Sequence, residues 1–202
     1  MIKKVFILNA PPRTGKDTIA SDADLCGFSY SIKSFKEPLY NIAATTLGLS
    51  LPEFMLLYDT DGWKDSPQEI CNNKTPRELM IHISETYIKP FFGYDYFGKQ
   101  LCASVEKAFY DNRCVSCSQF VIIPDGGFNK EVVPLIEAFG NDVVEVIQLE
   151  REGYRDFGHD SRSWIDLSGV KITKFDTTKG NDGVLKYIEQ QMINVSKENI
   201  GD

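Results

Sequence analysis

Hydrophobic and polar positions alternate between two periods along this chain. Residues 5–8 and 120–123 are unbroken apolar runs, 143–149 is nearly so, 27–32 alternates with period two, and 170–175 mixes β-branched and aromatic residues with lysines. Runs this short read as strands, and the unbroken ones as strands buried on both faces. Helical spacing fills the intervals. Leu39, Ile42, Ala43 and Leu47 share one face of a helix predicted over 36–47, and Phe97, Leu101, Val105, Ala108 and Phe109 share another. Ser50 and Glu53 form a capping-box pattern for a short helix through Leu57. Thr75, Pro76 and Glu78 form a stronger one, whose helix carries Leu79, Ile83 and Tyr87 and is expected to end at Pro90. A helix over 131–139 is expected to be disturbed by Pro134 in its first turns. Asn181 begins a final helix using Leu185, Ile188 and Met192. Residues 59–73 and the aromatic stretch 91–96 read as loops.

Strands separated by helical crossovers imply a parallel sheet with helices on both faces. The fold class expected is α/β, three layers with a five-stranded parallel core sheet. The core is residues 1–35 and 113–202, a helical insertion spans 36–112, and a charged segment without an apolar stripe spans 151–165. Ligands of such sheets bind outside the carboxyl ends of the strands.

The first strand runs into Ala10-Pro11-Pro12-Arg13-Thr14-Gly15-Lys16-Asp17-Thr18. Strand, tight loop, Gly-Lys and helix is the layout that cradles nucleotide phosphates. Backbone amides converge on one spot and a lysine adds a full charge. Pro12 through Thr18 are therefore the expected phosphate-binding residues. Ala10 stands where the first glycine is usual, and Asp17 where a Ser or Thr is usual. An Asp beside a triphosphate calls for a cation between them, so Mg²⁺ is expected near Asp17 or Thr18.

Composition changes this picture little. The 202 residues are 42% hydrophobic and 25% charged, which fits one soluble globular domain, and the net charge of −7 argues against broad electrostatic binding to nucleic acid. No apolar run reaches membrane-spanning length and no long signal core precedes the first strand, so a cytoplasmic protein without membrane contact is expected. Five cysteines, among them Cys114 and Cys117 at half-zinc-site spacing, give no disulfide framework, and that pair reads as a loop before a strand. His159 reads as a loop residue rather than a base. The aromatic residues Tyr87, Phe91, Phe92, Tyr94, Tyr96 and Phe97 read either as core or as a surface on which a base stacks.

Five segments in order resemble the phage-type deoxynucleoside monophosphate kinases. They are Gly15-Lys16-Asp17-Thr18, Ser34-Phe35-Lys36-Glu37-Pro38-Leu39, Lys74-Thr75-Pro76-Arg77-Glu78-Leu79, Gly93-Tyr94-Asp95-Tyr96-Phe97, and residues 121–131 around Pro124-Asp125-Gly126-Gly127. The resemblance spans most of the chain. It implies a P-loop NTPase-type fold in which 36–112 is the acceptor-binding insertion and 151–165 the lid, and transfer of the γ-phosphate of ATP, with Mg²⁺, to a deoxynucleoside monophosphate, in the cytoplasm of a phage-infected host. By motif, Lys16 grips the donor phosphates, Arg77 binds the acceptor's phosphate, and Asp125, at a strand end, orients metal together with Asp17 or Thr18. Arg151 and Arg155 lie in the lid, and Arg162 joins them. A homodimer is compatible with this reading.

Two alternatives stay open: a kinase acting on the hydroxymethyl group of a modified pyrimidine such as 5-hydroxymethyluracil in DNA, and an NTP-binding module without catalysis. The chain departs from the family at Gly127, where an arginine is usual. Either Arg155 or Arg162 substitutes, or the Gly-Gly gap admits a bulkier acceptor. If the space is open, an arginine placed at 127 is expected to tighten monophosphate binding.

Overall fold

In the computed structural model, residues 2–21, 28–111, 119–154, 156–158 and 161–198 are described. Five parallel strands, β1 (Lys4–Asn9), β2 (Tyr30–Ile32), β3 (Phe120–Gly126), β4 (Val144–Glu150) and β5 (Lys171–Asp176), form one sheet in the order β2-β3-β1-β4-β5. The N-terminal strand is thus central. Its alternate side chains feed two cores, which is why its sequence is apolar throughout. Val5 and Ile7 pack on one face with Val121, Ile123, Val144 and Val146, while Phe6 and Leu8 pack on the other with Phe120, Ile122, Ile147 and Leu149.

The second face is covered by α1 (Lys16–Ser21) and α8 (Asp182–Glu198), through Ile19, Ala20, Val184, Ile188 and Met192. The first is covered by α2 (Glu37–Thr46), α3 (Leu51–Asp59), α4 (Pro76–His82), α5 (Lys89–Phe92), α6 (Tyr96–Asp111) and α7 (Asn129–Phe139). This is the three-layer arrangement of P-loop NTPase-like folds, with helices α2 to α6 inserted between β2 and β3. Among the described residues no helix is long and apolar enough to cross a membrane.

Both capping boxes form. Ser50 and Thr75 accept from the amides of Glu53 and Glu78, whose carboxylates return to the cap amides. Three expectations need correction. The second strand begins at Tyr30 rather than Phe28, because β3, its partner among the described residues, begins at Phe120; Gly27 lies outside the described residues. Phe28 instead sets its ring edge-on to Phe120 with centroids 5.6 Å apart. Pro90 does not end the helix begun at Pro76. A π turn, Ile83–Ile88, joins α4 to α5, with the Lys89 amide donating to Ser84 O, and the chain leaves the helix only at Gly93, φ 96°. The wider turn accommodates a residue that has no N–H to give. Pro134 lies inside α7 without breaking it. Here α6 comes so close that a Cβ on Gly98 would collide with the carbonyl of Glu131.

Candidate functional site

The loop between β1 and α1 sits at the carboxyl rim of the sheet, beside the ends of β3 and β4. Arg13 (φ 65°) and Gly15 (φ 92°) take left-handed backbone, which turns the chain sharply into α1, and Asn181 packs behind Gly15. Pro12, Arg13, Asp17 and Thr18 are exposed, and Thr14 is buried with its hydroxyl donating to Pro11 O at 2.8 Å. Lys16 is buried, not exposed. Its Nζ donates to Ala10 O at 2.7 Å and Pro11 O at 2.6 Å, so the lysine closes its own loop.

Asp125 is a residue of β3 rather than of a turn, and its carboxylate fastens the neighbouring loop. It accepts from Ser34 Oγ at 2.7 Å, Phe35 N at 3.1 Å and Lys36 N at 3.2 Å. That loop leads into α2 and Tyr40. Burial pushes the Tyr40 hydroxyl up, and the charges of Tyr58, Asp125 and Asp17 add to the rise, so Asp17 and Asp125 act on one group. Tyr40 and Tyr58 rings lie 5.2 Å apart by centroid.

Arg77, exposed in the first turn of α4, donates from Nε to Asp65 Oδ1 at 2.5 Å. That bond holds the Asp65 carboxyl below the usual carboxylate range, and the charges of Lys64 and Arg13 act in the same direction. Burial raises Tyr58, while the guanidinium charges of Arg77 and Arg162 oppose the rise. Charges on the β1–α1 loop, at the end of β3 and at the start of α4 thus act on the neighbouring Tyr40, Tyr58 and Asp65. Arg162 belongs to the lid segment, and the gap expected at Gly127 is closed by its stem. Arg151 is exposed just beyond β4, its guanidinium 6.0 Å from the Tyr154 ring, and no described contact joins it to the phosphate loop. Arg155, His159, Cys114 and Cys117 lie outside the described residues.

Comparison with protein-family models and with curated proteins gives no match. The case for a function rests on the geometry. Among the described residues no group of three or more His, Cys, Asp or Glu side chains is gathered to hold a metal alone. Asp17 and Thr18, both exposed in the first turn of α1, carry oxygen donors of the kind that suit a largely hydrated ion. Mg²⁺ keeps several waters and takes one or two carboxylates plus phosphate oxygens. The three hydrogen bonds on Asp125 leave part of its acceptor capacity unused.

Asn9 and Gln148 are site residues that the sequence reading passed over. Asn9 Nδ2 donates to Gly126 O at 3.1 Å and Ser163 O at 3.0 Å, and its Oδ1 accepts from Ile165 N at 2.8 Å. Gln148 Nε2 donates to Ile165 O at 2.8 Å. Together they pin the end of the lid segment to the strand rim. The signal was available: each is a polar residue inside an apolar strand run.

The aromatic stretch is mostly not core. Tyr87, Phe91, Phe92 and Tyr94 are exposed and only Phe97 is fully packed, although the rings touch in sequence. Beside it, a cleft of about 140 Å³ is lined by Lys89, Tyr94, Phe128, Asn129, Lys130 and Ser163. Lys89 is buried there, with Nζ 4.1 Å from the Phe128 ring centroid and 2.5 Å from Glu85 Oε1.

Glu131, buried in the first turn of α7, is pushed up from 4.5 to about 8 by burial first and by the Asp125 and Glu85 charges, against Lys89 and Lys36. A carboxyl raised in the folded state stabilises the fold fully below its unfolded value. It loses that contribution as pH climbs from 4.5 to about 8. Glu131→Gln is expected to flatten this fall, and urea midpoints of both proteins across that range check it. Parallel curves would show that Glu131 titrates normally.

Proposed function

We propose that the chain is an ATP-dependent phosphotransferase whose acceptor is a deoxynucleoside monophosphate. The observation that carries this reading is a tight loop at the carboxyl end of the central strand, closed by Lys16. The charges of Asp17, where that loop enters α1, and of Arg77 at the start of α4 act on the packed Tyr40–Tyr58 pair.

Phosphoryl transfer asks a protein for positioning and charge neutralisation more than for covalent chemistry. The loop from Pro12 to Thr18 would hold the donor's phosphates, with Lys16 turning from its own carbonyls to the β and γ oxygens. Arg77 would hold the acceptor's phosphate. One oxygen of that phosphate then bonds to the γ-phosphorus as the bond to the β–γ bridging oxygen breaks, and ADP leaves. Asp17, Thr18 and Asp125 would hold Mg²⁺, which when bound neutralises charge on the phosphate oxygens.

Incubation with ATP and Mg²⁺ and each deoxynucleoside monophosphate in turn, followed by an oligonucleotide containing 5-hydroxymethyluracil, tests the reading. Formation of a diphosphate supports it. Transfer to the oligonucleotide alone favours the DNA kinase, and ATP binding without transfer favours the non-catalytic module. Arg77→Ala is expected to raise the acceptor KM by about tenfold or more, the loss of one charge-assisted pair, with the Kd for ATP nearly unchanged. An equal loss on both substrates would contradict the assignment.

A further inference from the structure

The polar stretch between α3 and α4 is a fastened turn rather than an open loop. The chain leaves α3 and bends at Gly62, φ 76°, into a single 3₁₀ turn, Trp63–Asp65. Ser66 Oγ donates to Gly62 O at 2.7 Å, and Gln68 Nε2 donates to Trp63 O at 3.0 Å and to Ser66 O at 3.1 Å. Gln68 N donates to Lys74 O at 3.0 Å, which ties the stretch to the residue before the Thr75 cap. Trp63 sets its ring edge-on to the fully buried Phe54, with centroids 6.0 Å apart. The turn is thereby attached to α3 on one side and to the start of α4 on the other.

Asp65 ends that 3₁₀ turn, and its Oδ1 accepts from Arg77 Nε at 2.5 Å. It belongs to none of the segments that carry the family resemblance. Both side chains of the pair are about half exposed, and an exposed pair adds little to stability. Its consequence is one of direction. A guanidinium is planar, so a bond at Nε fixes the plane of the group and the direction of its two terminal nitrogens. Asp65 is short and stands on a fastened turn, whereas Arg77 is long and rich in rotamers. The bond therefore takes freedom chiefly from Arg77. A ligand that meets an arginine already oriented does not have to order it on binding.

We propose that Asp65 is the positioning residue of Arg77, and that it sets the guanidinium plane in which the acceptor's phosphate is bound. This rests on the monophosphate-acceptor reading. The pair has one other chemical use, in which the carboxylate competes with the phosphate for Arg77. A competitor has to withdraw when the phosphate arrives, and Asp65 is on a turn that is fastened at both ends.

Asp65→Ala and Asp65→Asn test the proposal together, because asparagine keeps an oxygen that accepts from Nε and removes the charge. Calorimetric titration is made with the deoxynucleoside monophosphate that wild type uses, with the matching nucleoside, and with ATP. Asp65→Ala is expected to weaken the monophosphate by about three- to tenfold, with the nucleoside and ATP within about twofold and Tm little changed. Asp65→Asn is expected to stay within about twofold of wild type. Added to Arg77→Ala, Asp65→Ala is expected to change monophosphate binding by less than about twofold, since it acts through that side chain alone. The acceptor KM is expected to rise by the same factor, with kcat at saturating acceptor nearly unchanged. Tighter monophosphate binding in Asp65→Ala would make the carboxylate a competitor, and unchanged binding would make the pair a surface contact; either overturns the proposal while the kinase reading stands. An equal loss on the nucleoside also overturns it, by making Asp65 a support of the turn rather than of Arg77. If wild type neither binds nor phosphorylates any monophosphate, both readings fall together.

Discussion

Lys16→Ala is expected to lower turnover by roughly a hundredfold or more, about 3 kcal/mol of transition-state stabilisation. A lysine that meets the donor phosphates does most when negative charge shifts during transfer, so the loss falls on turnover more than on ATP affinity. The structure adds a second effect. Lys16 Nζ bonds to Ala10 O and Pro11 O, and these bonds go with the side chain. A stability loss of about 1–3 kcal/mol is expected beside the catalytic one. Urea unfolding and turnover measured on the same preparation separate the two. Near-normal turnover in a folded variant would remove the phosphate-loop assignment.

The second large effect is at Asp125. Alanine there leaves Ser34 Oγ and the Phe35 amide without their acceptor, in a place where Phe35 is 2% exposed, while the Lys36 amide keeps Ser34 Oγ at 3.0 Å. A buried donor left unmade costs about 1–3 kcal/mol, so a total loss of about 3 kcal/mol is expected once partial rescue by water is allowed. Turnover is expected to fall at least tenfold, because the loop that leads to Tyr40 is released and a carboxylate proposed for Mg²⁺ is removed. Asp125→Asn keeps the shape but turns an N–H₂ toward donors, and is expected to be only partly better. An Asp125→Ala protein with wild-type unfolding midpoint and wild-type turnover would contradict both roles.

The elements that were legible in the sequence are those whose signal is local. Strands buried on both faces carry apolar runs, and a capping box is written within four residues. The π turn was not legible, because nothing in residues 83–88 announces an extra residue in a helix. Its effect is a phase shift. Spacing puts Tyr87 on the apolar face after Ile83, yet Tyr87 is 54% exposed and Ile88 is 2% exposed. The site divides the same way. The phosphate loop and Arg77 stand in motifs, whereas the closed gap at Gly127 needs the lid segment folded back over β3. The burial of Lys16 was not legible, because its partners are carbonyls of its own loop, a fact of conformation rather than of residue type.

The order β2-β3-β1-β4-β5 has a consequence for how the chain is made. Lys4 pairs with Phe120 and Val5 with Val144, so β1 leaves the ribosome well ahead of both its neighbours and waits for them. At roughly 5–20 residues per second that wait is on the order of ten seconds, during which an apolar segment has no lateral partner. Nascent chains released before β3 therefore hold the central strand of the sheet with both its edges open. Vectorial synthesis gives this protein no early core on its oldest strand, and assembly of the sheet is a late, long-range event.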